Sequence, residues 1–270
     1  MKMNYKNKVA VITGAGGAIG GAIARALAGA GARVAIWDIA KKAARTRADE
    51  INASGGRAAP FACNVTKRAD VERAARQTLA AFGTIDILIN AAGGSRRKAT
   101  TSAELAIFDI TTAGLMDTLA LNYTGTVIPC QVVGRIFARK KRGVILNIAS
   151  VGGVRPLTRA VGYSSAKAGV VSFTQWLAVH MAREYSPQIR VNALAPGFVL
   201  TKQNGFLLTD EKTGAPTERG RQVTAQVPMG RYGQPEEMVG AALWLVSDAA
   251  SYVTGAVVPV DGGLLASLGV

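Results

Sequence analysis

The sequence predicts an α/β protein built on one parallel sheet with helices on both faces. Three observations carry that expectation. Short runs rich in Val and Ile alternate with longer helical patterns along most of the 270 residues. Those runs are continuously apolar, as in strands buried on both faces. The first passes through glycines straight into a helix, "VAVITGAGGAIGGAIA" over 9–24. That arrangement lets backbone N–H groups and a helix N-terminus face a phosphate.

The elements follow in order. "KVAVIT" (8–13) reads as the first strand, and "IGGAIARALAGAG" (19–31) as a helix ending in glycine. "RVAIWD" (33–38) is the second strand, and a polar helix over 41–54 leads to the third, "RAAPFACNV" (57–65). An amphipathic helix over 68–83 precedes the fourth strand, "IDILINAAGG" (85–94). Helix covers much of 104–140, then "GVILNIAS" (143–150) is the fifth strand. A long helix over 163–185 leads to "IRVNALAPG" (189–197). "PEEMVGAALWLVSD" (235–248) is a helix with proline in its first turn. "GAVVPVDGG" (255–263) is the last strand. The polar stretch over 201–220, within an excursion ending near 230, reads as a mobile departure from the carboxyl edge of the sheet. No second core and no repeat is visible, so the chain is expected to be one domain over 1–270.

Composition narrows the classes. Apolar residues make up 49% of the chain, which excludes disorder. No apolar run reaches the roughly 18 residues of a membrane helix. "MKMNYKNKVAVITG" enters a strand with no cleavable apolar region, so a cytoplasmic protein is expected. Cys63 and Cys130 lie far apart without metal-ligand spacing; both are expected to be reduced, and no metal site is expected. The net charge of +15 raises nucleic acid, membrane surfaces and acidic ligands. The basic residues are mostly scattered. The densest run, "ARKKRG" (138–143), falls at a helix C-terminus, where cations complement the dipole. An anionic small molecule is the expected partner, with nucleic-acid or membrane binding not expected.

Asp38 closes the second strand, where its carboxylate can accept hydrogen bonds from both ribose hydroxyls and repel a 2′-phosphate. Ile39 follows directly, so NAD is expected over NADP, although Lys41 and Lys42 are near and Asp38 also suits an N-cap. "YSSAK" (163–167) places Tyr163 and Lys167 on one helix face. Ser150 ends the fifth strand 13 residues before Tyr163.

From about residue 6 to 263 the chain resembles the short-chain dehydrogenase/reductase family. The residues that carry the resemblance are "TGAGGAIG" (13–20), "NAAG" (90–93), Asn122, Ser150, "YSSAK" (163–167) and "PGFVLT" (196–201). The resemblance implies a three-layer Rossmann fold, one doubly wound parallel sheet of about seven strands. It implies a nicotinamide-dependent redox reaction on a carbinol or carbonyl, and a homotetramer. Tyr163 would be the general acid/base, made acidic by Lys167, which also holds the nicotinamide ribose. Ser150 would orient the substrate oxygen, and Asn122 would link Lys167 to solvent through a water. Gly14, Gly17, Ile19 and Gly20 would hold the pyrophosphate; Asn64 and Val65 would flank the adenine; Asn90, Ala91, Ala92 and Gly93 would line the adenosine side. Pro196, Gly197, Val199 and Thr201 would serve the carboxamide and phosphate. Two departures stand out: Ala18 occupies the middle glycine of the turn, and Asn64 stands where the family usually has aspartate. His180 is read as structural, and Trp37, Trp176 and Trp244 as packing residues.

Three stretches, "AAGGSRRKATT" (91–101), "NGFLLTDEKTGAPTERG" (204–220) and "VPMGRYGQPEE" (227–237), are similar to the D-mannonate oxidoreductase (fructuronate reductase) branch. That resemblance implies a sugar-acid substrate. Its carboxylate needs a cation once desolvated, with Lys98 and Arg155 as candidates beside Arg96 and Arg97. Alternatives are a gluconate 5-dehydrogenase-like enzyme, another polyol or 3-oxoacyl reductase, and a non-enzymatic dinucleotide sensor or nucleic-acid binder.

Overall fold

The computed structural model describes residues 3–201, 208–210 and 213–267. Parallel strands β1 (Val9–Thr13), β2 (Arg33–Asp38), β3 (Arg57–Ala62), β4 (Ile87–Asn90), β5 (Gly143–Ile148), β6 (Ile189–Pro196) and β7 (Val257–Val260) form one sheet in the order β3-β2-β1-β4-β5-β6-β7. The helices are α1 (Ala18–Gly29), α2 (Lys41–Ala53), α3 (Arg68–Phe82), α4 (Thr112–Leu119), α5 (Gly125–Lys140), α6 (Val161–Glu184), α7 (Glu218–Gln226) and α8 (Val239–Val246).

Strand side chains alternate between two cores. Ala10, Ile12, Val34, Ile36, Ile87, Ile89, Leu146 and Ile148 meet α1, α2 and α8 on one face. Val9, Val11, Ala35, Trp37, Leu88 and Ile145 meet α3, α5 and α6 on the other. Because both faces are covered, period-two alternation produces a continuously apolar sequence. The chain winds from β1 outward to β3, then crosses back to β4 on the far side of β1. That reversal opens a crevice at the carboxyl ends of β1 and β4, where ligands bind in such sheets.

Several boundaries differ from the sequence reading. The third strand stops at Ala62 because Asn64 starts a turn, its carbonyl accepting the Thr66 N–H at 3.0 Å and the Thr66 hydroxyl at 2.8 Å. The helix expected over 104–140 is two helices joined by a π-turn at Ala120–Thr124, with short 3₁₀ turns before it. Trp37 is fully buried, donating to Thr78 Oγ1 at 3.0 Å. Trp176 and Trp244 are exposed and correct the packing assignment. Trp176 lies flat between Phe173 and His180 on the outer face of α6. Lys140 is not simply solvated: it bonds the Ile85 carbonyl at 2.7 Å and pairs with Asp86 at 2.6 Å. Within 201–220, where the mobile excursion was expected, residues 202–207 and 211–212 lie outside the described residues.

Candidate active site

The glycine-rich turn is built around one close backbone approach. Gly14 has φ +64°, and a Cβ on it would lie 2.7 Å from Ala92 Cα. Only glycine accommodates both the left-handed backbone and the contact. The Thr13 hydroxyl accepts from the Ala91 and Ala92 N–H groups at 3.1 and 3.2 Å, pinning the end of β4 to β1. Gly17 is the N-cap of α1, so Ala18 already lies in helix and needs no special backbone freedom. Ile19 and Gly20 follow within the first turn of α1.

Asp38 does two jobs at once. One carboxylate oxygen accepts the Gly16 N–H at 3.0 Å, and the other accepts the Ala40 N–H just before α2 at 2.9 Å. The carboxylate therefore braces the glycine turn and starts the helix, and still has lone pairs for ribose hydroxyls. Ile39, beside it, is 70% exposed. Asn64 departs from its expected role, because its side-chain carbonyl is taken up by Thr66 and not free for adenine. Val65 is buried against Gly125. Asn90 turns its side chain into the core, donating to Asn147 Oδ1 at 2.9 Å and to Cys130 Sγ at 3.1 Å, so it faces the crevice through its backbone alone.

Tyr163 and Lys167 stand on the first turns of α6, and Ser150 ends the extended segment after β5. Lys167 is buried; its ammonium donates to the Ile148 carbonyl at 2.7 Å and lies 5.8 Å from the Tyr163 ring centroid. Burial lowers its pKa from 10.5 to about 8. Burial raises the pKa of the Tyr163 phenol, and the Ser150 hydroxyl counters part of that rise. Desolvation opposes the phenolate here, and Lys167, itself pushed toward neutrality, is held by a backbone carbonyl.

Asn122 sits in the π-turn, fully buried. Its carbonyl accepts the Gly94 N–H at 2.9 Å; its amide donates to Gly94 O at 2.9 Å and Thr118 O at 3.0 Å. A Cβ on Gly93 would lie 2.7 Å from Asn122 Oδ1 and 3.3 Å from Lys167 Nζ. The Asn122 side chain is thus a clamp that lays the post-β4 loop across Lys167, rather than an open amide beside it. Thr13, Gly16 and Gly94 fall inside the stretches that carry the resemblances, yet the sequence reading gave Thr13 and Gly94 no role of their own; a hydroxyl at a strand end before glycine was the signal at Thr13.

Beyond β6, Gly197 donates to the Val260 carbonyl at 3.0 Å, and Phe198–Leu200 pair with Gly233. Val199 is buried, while Pro196 ends the strand and Thr201 closes the described segment. Lys98 and Arg155 are both exposed. Arg155 reaches the Ser267 carbonyl at 3.4 Å, toward the C-terminal segment.

A crevice at a strand-order switch, bounded by a glycine turn and by a Ser, Tyr and Lys set, defines a nucleotide-dependent oxidoreductase site. A family model described as enoyl-(acyl carrier protein) reductase matches residues 14–265. An uncharacterized oxidoreductase, UxuB, of Bacillus subtilis is 40% identical, the match covering 99% of this chain and 98% of that protein. A D-threitol dehydrogenase of Mycolicibacterium smegmatis is 37% identical, covering 95% and 92%. A crystal structure from Haemophilus influenza, provisionally described as a D-mannonate oxidoreductase with bound NAD, superposes with a TM-score of 0.93 at 40% identity, covering 99% and 98%. The chain belongs to the short-chain dehydrogenase/reductase family, and it is an NAD(P)-dependent oxidoreductase with the Rossmann fold.

Proposed function

We propose that the protein is an NAD-preferring dehydrogenase/reductase of a secondary alcohol or ketone on a sugar acid, with D-mannonate and D-fructuronate as the first pair. The observation that carries the reading is the likeness, over nearly the full length of both chains, to the structure described as a D-mannonate oxidoreductase with bound NAD. The crevice suits a dinucleotide by its own chemistry. Gly14 lets backbone come close, the Gly17 end of α1 offers N–H groups, and Asp38 disfavours a 2′-phosphate.

The cofactor supplies the hydride acceptor or donor. Tyr163 holds the proton that the substrate oxygen gains or loses, and general acid–base catalysis of this kind contributes about 10²–10⁴-fold. Ser150 bonds the substrate oxygen and the phenol together. Lys167 holds the ribose and passes charge to the site, and Asn122 fixes the loop that covers Lys167. Two buried thiols, Cys63 and Cys130, support a reducing, cytoplasmic setting for a single-domain chain. No helix among the described residues is long and apolar enough to cross a membrane.

The test is NADH-dependent reduction of fructuronate, 5-ketogluconate and D-fructose by the purified protein. Fructuronate should give the highest kcat/KM. A higher value for the neutral ketose would overturn the sugar-acid reading in favour of a polyol enzyme, the activity named for the D-threitol dehydrogenase relative.

A further inference from the structure

The turn that follows Ser150 meets α6 backbone to backbone. The Gly153 N–H donates to the Ser150 carbonyl at 2.9 Å, and the Arg155 N–H to the Val151 carbonyl at 2.9 Å, so residues 150–155 form one closed turn. A Cβ on Gly153 would lie 2.5 Å from the Lys167 carbonyl oxygen, 2.6 Å from its carbon and 3.0 Å from the Ala168 nitrogen. The φ of Gly153 lies outside the left-handed region, so its backbone would accept any residue. The contact alone calls for glycine there.

The atoms that Gly153 touches cannot give way. Lys167 lies in the second turn of a 24-residue helix, where backbone groups are fixed by the bonds along its axis. Gly152 differs: a Cβ on it would meet the flexible Leu157 side chain at 3.1 Å.

Two further bonds close the same joint. Lys167 Nζ donates to the carbonyl of Ile148, two residues before Ser150, at 2.7 Å. Ser164, on α6, accepts the Leu157 N–H at 3.0 Å. Within the turn, the Gly152 N–H donates to Ser150 Oγ at 3.0 Å. That bond takes one lone pair of the hydroxyl and leaves its proton for a partner beyond the turn. Ser150 thus moves with the turn and Tyr163 with the helix, and the two bodies touch at Gly153.

We propose that Gly153 is a positioning residue, whose missing side chain sets the gap between the Ser150 hydroxyl and the Tyr163 phenol. The proposal rests on the reading above, in which these two hydroxyls act on the substrate oxygen. A methyl at 153 must push the turn off the Lys167 backbone by roughly 1 Å to reach ordinary contact. The shift enters the gap between the two hydroxyls, and a misplacement of about 1 Å costs about 10²-fold in rate.

The experiment compares wild type, Ser150→Ala, Gly153→Ala and the double variant. The ketone is whichever of fructuronate, 5-ketogluconate and D-fructose the wild type reduces fastest. NADH affinity is followed by fluorescence and folding by thermal melting. Ser150→Ala should lower kcat about 10²–10³-fold. Gly153→Ala should lower kcat about 10²-fold with NADH affinity unmoved. In the Ser150→Ala background the same change should alter kcat by less than about threefold, because no hydroxyl is left to misplace. Ser164→Ala removes only the bond to Leu157 and decides the matter if Gly153→Ala does not fold. It should lower kcat about tenfold, and again only where Ser150 is present. A folded Gly153→Ala variant within about threefold of the wild-type kcat overturns the proposal, as does an unfolded one beside Ser164→Ala at the wild-type rate. An equal loss in the Ser150→Ala background, or a parallel loss of NADH affinity, makes Gly153 a packing residue and overturns it too. In each of these cases a slow Ser150→Ala leaves the reading of the two hydroxyls standing. Ser150→Ala at the wild-type rate, or a wild type that reduces none of the three ketones, overturns that reading and the proposal with it.

Discussion

Lys167 is placed where its charge is costly. Its pKa falls from 10.5 to about 8 on burial, which at 1.36 kcal/mol per pKa unit is on the order of 3 kcal/mol of lost stability at neutral pH. The sign follows from proton counting. Between pH 8 and 10.5 the unfolded chain holds a proton that the folded chain has released, so stability rises with pH across that window. Below pH 8 both states are protonated and the full penalty stands. Lys167→Met removes it, at the loss of one bond to the Ile148 carbonyl worth about 1 kcal/mol. The variant should be about 1–2 kcal/mol more stable than wild type at pH 7, and this advantage should vanish by pH 10.5. Tyr163→Phe should leave that pH dependence in place, while both variants lose at least about a hundredfold in turnover. Urea midpoints of the cofactor-free proteins across this pH range decide the matter. An unchanging difference between wild type and Lys167→Met would show that the ammonium carries no strain.

Among the elements, the turn between β1 and α1 depends on the strand beside it. Because Asp38 accepts from both Gly16 and Ala40, Asp38→Ala should do more than admit NADP. It should also loosen the turn, so that NAD affinity falls about tenfold while NADP gains less than NAD loses. Steady-state kinetics with both cofactors measures this, and equal kcat/KM for NAD and NADP in the wild type would remove its basis. The order of strands and helices was legible in the sequence because buried parallel strands and amphipathic helices write different periods. Strand ends were not, because a turn such as Asn64–Thr66 depends on side-chain bonds that periodicity does not register. Helix 104–140 concealed its π-turn at Asn122 for the same reason. In the site, Tyr163 and Lys167 were legible as neighbours because helical spacing puts them on one face, and Ser150 through the family resemblance. Thr13 and Gly94 were not, because each acts on a loop distant in sequence. The direction of the Tyr163 shift was also out of reach, since burial is a property of the fold.

For the molecule as a whole, the outer face of α6 is unlike ordinary surface. Tyr123, Phe173, Trp176, His180 and Tyr185 form a continuous row of ring contacts. Trp176 and Val179 on that face are 57% and 55% exposed. We propose that this row is a contact between copies in the homotetramer that the family resemblance implies. Trp176→Glu should shift the sedimentation coefficient of the purified protein to that of a smaller species, while its circular dichroism stays unchanged. A wild type that sediments as a monomer, or a variant that sediments like the wild type, would rule this face out.

The interior position of β1 in the sheet also shapes how the protein is made. On the ribosome, β1, β2 and β3 emerge first and can pair in order, leaving the other side of β1 open. That side closes only when Asp86 arrives, 77 residues after Val9, to accept its N–H at 2.9 Å. Until then the nascent chain presents a buried, Val-rich strand with a row of unpaired amides. Such an edge is a template for pairing with another chain. The interval between synthesis of residues 38 and 90 is therefore a stretch of translation in which the nascent sheet needs protection from its neighbours.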